Sequence, residues 1–544
     1  MTGSECIFAV DLGTSGPKVA FVRMDGEVVG TRFEPVDLII ASGGGIEQDP
    51  KTWWRALGVA SRALCRSYPE LTAAVIGVGV TAQWSGTVPV GRDGEPLHNA
   101  LIWMDDRGAS ATEAVFGSRV GIAGYKPHLL ARWLRLTGGI PAHSGKDTLS
   151  HLLWFERDRP EIANRTTVYL EPKDWLNLKL TGRAAATHDS AVLYWLTDNR
   201  DPRKLRWDTS LIERAGVERH RLPELIAATD VVGALTDAAA AHLGLPKSVP
   251  VVGGTPDEQS AALGSGALAP GHGHLYVGTS AWITCHVGYK KTSVSSGIAS
   301  LPGPLPDTYF VANVQETAGV SLQWLADKVL FHPWPTDGHP RNPDPDDPDL
   351  VSAPPDGSDL GRADPDRFAA LDALAAQASP GSGGVIFTPW LNGERTPVDD
   401  HTIRAGWHHI SIENDVADLV RAVFEGVAYN LRWLNETVQR FVGHDFPTLR
   451  IIGGGARSDV WCQIIADVLE CPIERVAQPE GANLRGAAML TGLALGRIDR
   501  AALPEMTTID RVFIPTVAHR SLHHDRFQIF RSIYTANRRL HRHW

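Results

Sequence analysis

Phe8-Ala9-Val10-Asp11-Leu12-Gly13-Thr14-Ser15-Gly16-Pro17-Lys18-Val19-Ala20 is the stretch whose reading decides the fold. A short apolar run ends in an acid, breaks into a small-residue turn, and resumes from Val19 to Val22, which predicts a β-hairpin. Gly13 and Gly16 let backbone N–H groups approach a ligand, and Thr14 and Ser15 add hydroxyl donors, so the turn suits a phosphate. Asp11, at the strand's end, is placed to hold a hydrated Mg²⁺. No Gly-Lys-Ser/Thr follows, so this is not a P-loop, and it is not G-x-G-x-x-G. Taken alone, an ordinary glycine-rich hairpin explains it equally well.

A second loop changes the balance. His274-Leu275-Tyr276-Val277-Gly278-Thr279-Ser280-Ala281-Trp282-Ile283 repeats the pattern of apolar run, Gly-Thr-Ser turn and apolar run. Two such hairpins half a chain apart predict a duplicated domain whose phosphate-gripping turns face each other across a cleft.

Composition fits a cytoplasmic enzyme. A chain of 544 residues exceeds one core and predicts two large domains; 43% hydrophobic and 21% charged content is ordinary for a folded chain in water. The net charge of −10 argues against nucleic acid or an anionic membrane as partner, and no apolar run approaches a membrane span. Cys6, Cys65, Cys285, Cys462 and Cys471 form no CxxC pair, so they read as reduced thiols in or near the core.

Val75–Val80 reads as a buried parallel strand, and helices are expected near 51–66, 149–158 and 172–180. Pro250-Val251-Val252-Gly253-Gly254 reads as a strand entering a turn at Asp257, followed by a helix from Glu258 to Leu263. Residues 331–366, rich in Pro and Asp, read as an excursion loop. In a long helix from Asp415 to Thr437, Leu419, Val423, Val427, Leu431 and Leu434 recur at core spacing. Leu449–Ile452 leads into a Gly453–Gly455 turn, and the basic-aromatic tail from Arg526 to Trp544 reads as a docking helix. The paired histidines His408-His409, His523-His524 and His541-Arg542-His543 show no metal-ligand spacing and read as solvated.

Phosphoryl transfer needs a metal bridging phosphate oxygens, donors around the transferring group, and an acceptor for the hydroxyl proton. Asp11 is the candidate for the metal, the Gly13-Thr14 and Gly278-Thr279 turns for the donors, and Asp257 for the proton acceptor. Asp257 lies at the carboxyl end of its strand, where open α/β sheets bind ligands, although an Asp there also caps helices. Arg107 and Glu394 would each be explained by a paired surface salt bridge.

Several segments, in order along nearly the whole chain, resemble the FGGY carbohydrate kinases of the actin-like ATPase superfamily. They are Gly44–Pro50 with Trp53-Trp54; Val78–Gly86 with Trp103, Asp105 and Arg107; Glu171–Trp175 with Leu180-Thr181-Gly182; Gly253–Asp257; Leu391–Pro397; and Ile452–Ala456 with Ala466-Asp467 and Gly486-Ala487-Ala488. The resemblance implies an α/β fold of two actin-like (ribonuclease H-like) domains with an interdomain cleft. Residues 1–266 would hold the sugar and the catalytic base, and 267–544 the nucleotide. It implies ATP and Mg²⁺ and a small-molecule sugar or polyol, with a homodimer left open. Gln83, Trp84, Trp103, Asp105, Asp257 and Glu258 would contact the sugar. Gly13, Thr14, Ser15, Lys18, Gly278, Thr279, Gly319, Gln323, Gly454, Gly455 and Asp459 would contact the nucleotide. Trp84-Ser85 stands where glycerol kinases place Arg-Glu and xylulokinases Met-His, Glu258 stands where xylulokinases tend to carry Asn, and Asp459 replaces the usual Asn or Pro. Xylulose is the leading expectation by proximity. A non-transferring actin-like ATPase or sugar-binding regulator is the alternative, against which an intact Asp257 argues.

Overall fold

The computed structural model describes residues 5–269, 271–331 and 365–543. Two mixed sheets carry the chain. The first runs, edge to edge, Val231–Ala234, Pro250–Pro256, Val75–Ala82, Cys6–Gly13, Gly16–Arg23 and Val28–Phe33. Its three strands Pro250–Pro256, Val75–Ala82 and Cys6–Gly13 are parallel neighbours. Cys6–Gly13 folds back on Gly16–Arg23 as the expected hairpin, with Asp11 opposite Lys18 and Gly13 opposite Gly16. The second sheet runs Ala281–Thr284, Gly273–Val277, Leu449–Ile452, Ile473–Val476 and Ile509–Phe513. It opens on the second hairpin and continues through parallel strands. The duplication read from the two glycine turns is therefore a duplication of sheets.

The two halves of the sequence interlock through one helix from each. Helix Ala482–Ala494 comes from the second half, yet Leu484, Ala487 and Ala488 are buried with Ile7, Ala9, Ala20 and Val22 of the first sheet. Conversely, Ala261 of helix Asp257–Gly264 is buried with Trp282, Ile452 and Val476 of the second sheet. The two helices cross at glycines. A Cβ on Gly264 would lie 1.8 Å from the Ala482 carbonyl oxygen, and one on Gly486 would lie 1.9 Å from that of Ser260. Only hydrogen fits at either position, so the crossing is fixed by sequence.

A third core of Trp84, Phe116, Trp133, Phe155, Tyr169 and Tyr194 forms beside the first sheet. In helix Val416–Val442 the positions Val423, Val427, Leu431 and Leu434 are buried as expected, and Leu419 is partly buried. Asp415 caps that helix by accepting from the Asp418 N–H at 3.0 Å. Helix Arg520–His541 docks through buried Phe527 and Phe530. All five cysteines are free and buried. Among the described residues no helix is long and apolar enough to cross a membrane. Most of the expected excursion loop, 332–364, lies outside the described residues. His523 departs from expectation: it is not solvated but wholly buried, because its helix turns that face onto helix Val416–Val442.

Candidate active site

The turn before Asp257 is built from backbone constraints. Pairing of strand Pro250–Pro256 with Val75–Ala82 slips between Val252 and Thr255, and Gly254 adopts φ +75°. A Cβ there would lie 2.0 Å from the Val80 carbonyl oxygen, so glycine is required. The freed carbonyl of Gly253 accepts from Lys173 Nζ at 2.9 Å and Asn177 Nδ2 at 2.8 Å. Lys173 also pairs with Asp174, which accepts from Ser190 Oγ at 2.7 Å. The Pro172-Lys173-Asp174 segment is thus a buried clamp on the Gly253–Asp257 turn, and it opens helix Pro172–Thr181.

Asp257 opens its helix and accepts from the Glu258 N–H at 2.9 Å. Burial, then the negative charge of Asp11, push the Asp257 carboxyl up to about 7. Burial and Asp257 push Glu258 up to about 8, against the pull of Arg395. A carboxylate poised near neutral pH matches what a general base needs. Asp11 ends strand Cys6–Gly13; burial raises its pKa, while Lys18 and Asn483 oppose the rise. Its Oδ1 is buried without a partner.

The first glycine turn is braced by its neighbours. Thr14 Oγ1 accepts from Trp103 Nε1 at 3.0 Å and donates to Gln83 Oε1 at 3.3 Å, so its hydroxyl is occupied. The Thr14 carbonyl accepts from Gln48 Nε2 at 2.7 Å, and Gln48 Oε1 accepts from Gln83 at 2.9 Å and Trp53 at 3.1 Å. Gln48 received no site role from sequence, yet it is the hub of this network. Asp105 is wholly buried: it accepts from the Ile46 N–H at 2.9 Å and pairs with Arg107 at 2.6 Å. Arg107 continues to Glu47 at 2.6 Å and lies 4.4 Å over Trp154. Asp105 therefore positions the Trp103 turn and does not present its carboxylate to a sugar, a correction to the expectation. Trp84 spends its indole N–H on the Ser190 carbonyl at 3.2 Å and forms an apolar wall.

In the second half, the Gly319 N–H donates to the Gly278 carbonyl at 2.7 Å and the Ala318 N–H to that of Thr279 at 2.8 Å, which brings Gly278, Thr279 and Gly319 together. Among the described residues, Thr14, Ser15, Thr279 and Ser280 have N–H groups with no protein acceptor. Both turns therefore offer paired free donors, as a phosphate cradle requires. Tyr276 was not foreseen. Its ring stacks on Trp282 at 3.8 Å, and a Cβ on Gly278 would lie 2.2 Å from its hydroxyl, while one on Gly453 would meet the ring at 3.2 Å. The phenol is wedged between the two glycine turns, and the charges of Asp257 and Asp11 help raise its pKa. Strand alternation, which puts Tyr276 opposite Trp282, was the available signal.

Lys18 Nζ reaches the Glu480 carbonyl at 3.4 Å and adds positive charge beside Asp11. Gly454 is open on its Cβ side and Gly455 packs on Val277. Gln323 is paired with Asp327. Asp459 is held by Arg475 at 2.5 Å and by Arg511, so its carboxylate is committed within the protein rather than offered to a nucleotide. Glu394 is not a surface partner either: it is buried and accepts from the N–H groups of Glu316 at 2.8 Å and Arg395 at 2.9 Å and from Asn430 at 2.5 Å. Arg395, paired with Glu316 at 2.5 Å, partly offsets the burial that raises Glu258 to about 8 and Asp147 to about 6.

Two sheets, each carrying a glycine-turn hairpin, with the carboxylates of Asp11 and Asp257 near strand ends of the first, have the make-up of a phosphotransferase. Residues 6–264 match the FGGY family of carbohydrate kinases, N-terminal domain, and residues 274–495 match the C-terminal domain of the same family. The chain belongs to the FGGY family of carbohydrate kinases, and its activity is that of an ATP-dependent sugar kinase. It is 29% identical to a xylulose kinase of Staphylococcus epidermidis, over 98% of each chain. A "xyloylose kinase" structure from Brucella ovis is 26% identical, with TM-score 0.81 over 98% of this chain and 100% of that one. A gluconate kinase structure from Lactobacillus acidophilus, 20% identical with TM-score 0.81 over 98% of each, shares the fold.

Proposed function

We propose that this kinase transfers the γ-phosphoryl group of ATP to a hydroxyl of a ketopentose, with xylulose first among candidates and Asp257 as general base. The observation that carries the reading is Asp257 itself, which follows the Gly253-Gly254 turn and is raised to about 7 by burial and by the charge of Asp11. The sugar lies against Trp84, Trp103, Gln83 and Glu258. Asp257 accepts the proton of the attacking hydroxyl as transfer proceeds. The free N–H pairs of Thr14-Ser15 and Thr279-Ser280 hold phosphate oxygens, and the Gly278, Gly319 and Gly453–Gly455 turns seat the nucleotide. The orphaned, buried Oδ1 of Asp11 suits a hydrated Mg²⁺, held through water. That ion would neutralise charge on the phosphate oxygens.

Xylulose rests on the names of the similar kinases and on a pocket whose Trp84 wall offers glycerol fewer polar partners. Cytoplasmic residence rests on five free, buried thiols. Coupled ADP release with xylulose, ribulose, gluconate and glycerol tests the choice. Xylulose should give the highest kcat/KM, and a glycerol value matching every sugar would overturn it.

A further inference from the structure

We propose that Asp467, His519 and His523, none of them among the residues assigned to sugar or phosphate, bind a divalent transition-metal ion of the zinc class. His519 and His523 stand four residues apart at the start of helix Arg520–His541, a spacing that puts both on one face. Asp467 lies near the end of helix Asp459–Leu469. One carboxylate oxygen and one ring nitrogen from each histidine lie within 4.8 Å of one another.

The ligand atoms are prepared for a metal. His523 is 0% exposed; its Nδ1 lies 2.9 Å from the Tyr429 hydroxyl, while its Nε2 is buried with no partner. With Nδ1–H donated to Tyr429, Nε2 carries a lone pair into the cluster, the arrangement of a metal-bound imidazole with its outer partner. Asp467 Oδ1 accepts from the Thr516 N–H at 2.7 Å and from Gln463 at 2.8 Å, which fixes the carboxylate plane. Its Oδ2 is 2.8 Å from His519 Nδ1, so these two need only spread to share an ion. A plain carboxylate–histidine pair would explain that contact and leave His523 Nε2 unsatisfied, which is costly in a buried group. Two imidazoles and one carboxylate favour zinc, cobalt or nickel over magnesium or calcium.

A groove of about 390 Å³, lined by Asp467, His519, Gln463, Thr516 and Arg511, opens onto the cluster and leaves a fourth position to water. The ion would pin the C-terminal helix to helix Asp459–Leu469, which leads out of the Gly453–Gly455 turn.

The test uses the full-length protein, stripped with a chelator, dialysed and titrated with ZnCl₂ by calorimetry and with CoCl₂ by visible absorption. The expected result is a single equivalent bound, a higher Tm with Zn²⁺, and the visible bands of cobalt in a low-coordinate nitrogen–oxygen site. His519→Ala, at a partly exposed position, should weaken binding by about 10–100-fold or more while sugar phosphorylation changes little. Asp467→Asn should weaken it as well. Substoichiometric binding, or unchanged affinity in His519→Ala, overturns the proposal. So does a Tm that falls in His519→Ala by the same amount with and without zinc.

Discussion

The charge of Asp11 bears on Asp257: the two carboxylates end strands of one sheet separated only by Val75–Ala82, and Asp11 adds to burial in raising Asp257 to about 7. This repulsion is relieved when positive charge arrives between the turns. On the proposed mechanism, the general base would be tuned by the same groups that position the phosphates.

If Asp257 is the proton acceptor, replacing it should remove that function and leave the backbone donors of both glycine turns in place. Asp257→Ala should lower kcat by about 10²–10⁴ while ATP binding, measured by calorimetry, stays near wild type. A variant keeping more than half of wild-type turnover would sink the assignment.

The pH dependence follows in sign. Asp257 acts as carboxylate, so kcat/KM for sugar should fall as pH drops through about 7. In Asp11→Asn the repulsion is gone, so this acid limb should move to lower pH even though turnover suffers. The same raised pKa bears on stability: the folded state holds a proton that the unfolded carboxyl, near 3.8, releases. The stability linked to that proton is present below about 3.8 and is lost as pH rises through about 7. Asp257→Asn should therefore raise Tm at pH 8 and not at pH 4, as calorimetry at both values would show.

The two turns should respond differently to bulk. A Cβ on Gly278 meets the Tyr276 hydroxyl at 2.2 Å, whereas one on Gly13 has 3.9 Å of clearance from the Gly16 carbonyl oxygen. Gly278→Val should raise the KM for ATP much more than that for sugar. Gly13→Val should act only through the cleft, with a milder effect on the same constant. Equal shifts in both KM values would mean that the turns are structural.

Lys173 is buried between Asp174 and the Gly253 carbonyl. Lys173→Met leaves Asp174 charged and unpaired by its main partner, at a cost of about 3–5 kcal/mol in urea unfolding. Turnover should fall further than stability alone explains, because the Asp257 turn loses its clamp. A loss below about 1 kcal/mol, the range of an exposed ion pair, would contradict the clamp.

What sequence revealed was local. The Asp11 and Gly278 hairpins, the Asp257 turn and the core stripe of Val416–Val442 each declare themselves within one window of periodicity and turn chemistry. What stayed hidden depends on partners far along the chain. Nothing near Asp459 announces Arg475 and Arg511, and nothing near Asp105 and Arg107 shows that the Ile46 N–H and Glu47 complete their pairing. The packing of helices Asp257–Gly264 and Ala482–Ala494 across the two sheets rests on glycines over 200 positions apart, which no local window of sequence displays. His523 resembled a solvated pair because helix rotation, not composition, decides which of two adjacent histidines is buried.

ADP release from ATP, measured with and without xylulose in wild type and in Asp257→Asn, tests the central claim most directly. The account predicts that wild type forms ADP and sugar phosphate in equal amounts only when sugar is present, and that Asp257→Asn does neither at a comparable rate. ADP formed as fast without any sugar, or undiminished in Asp257→Asn, would contradict it.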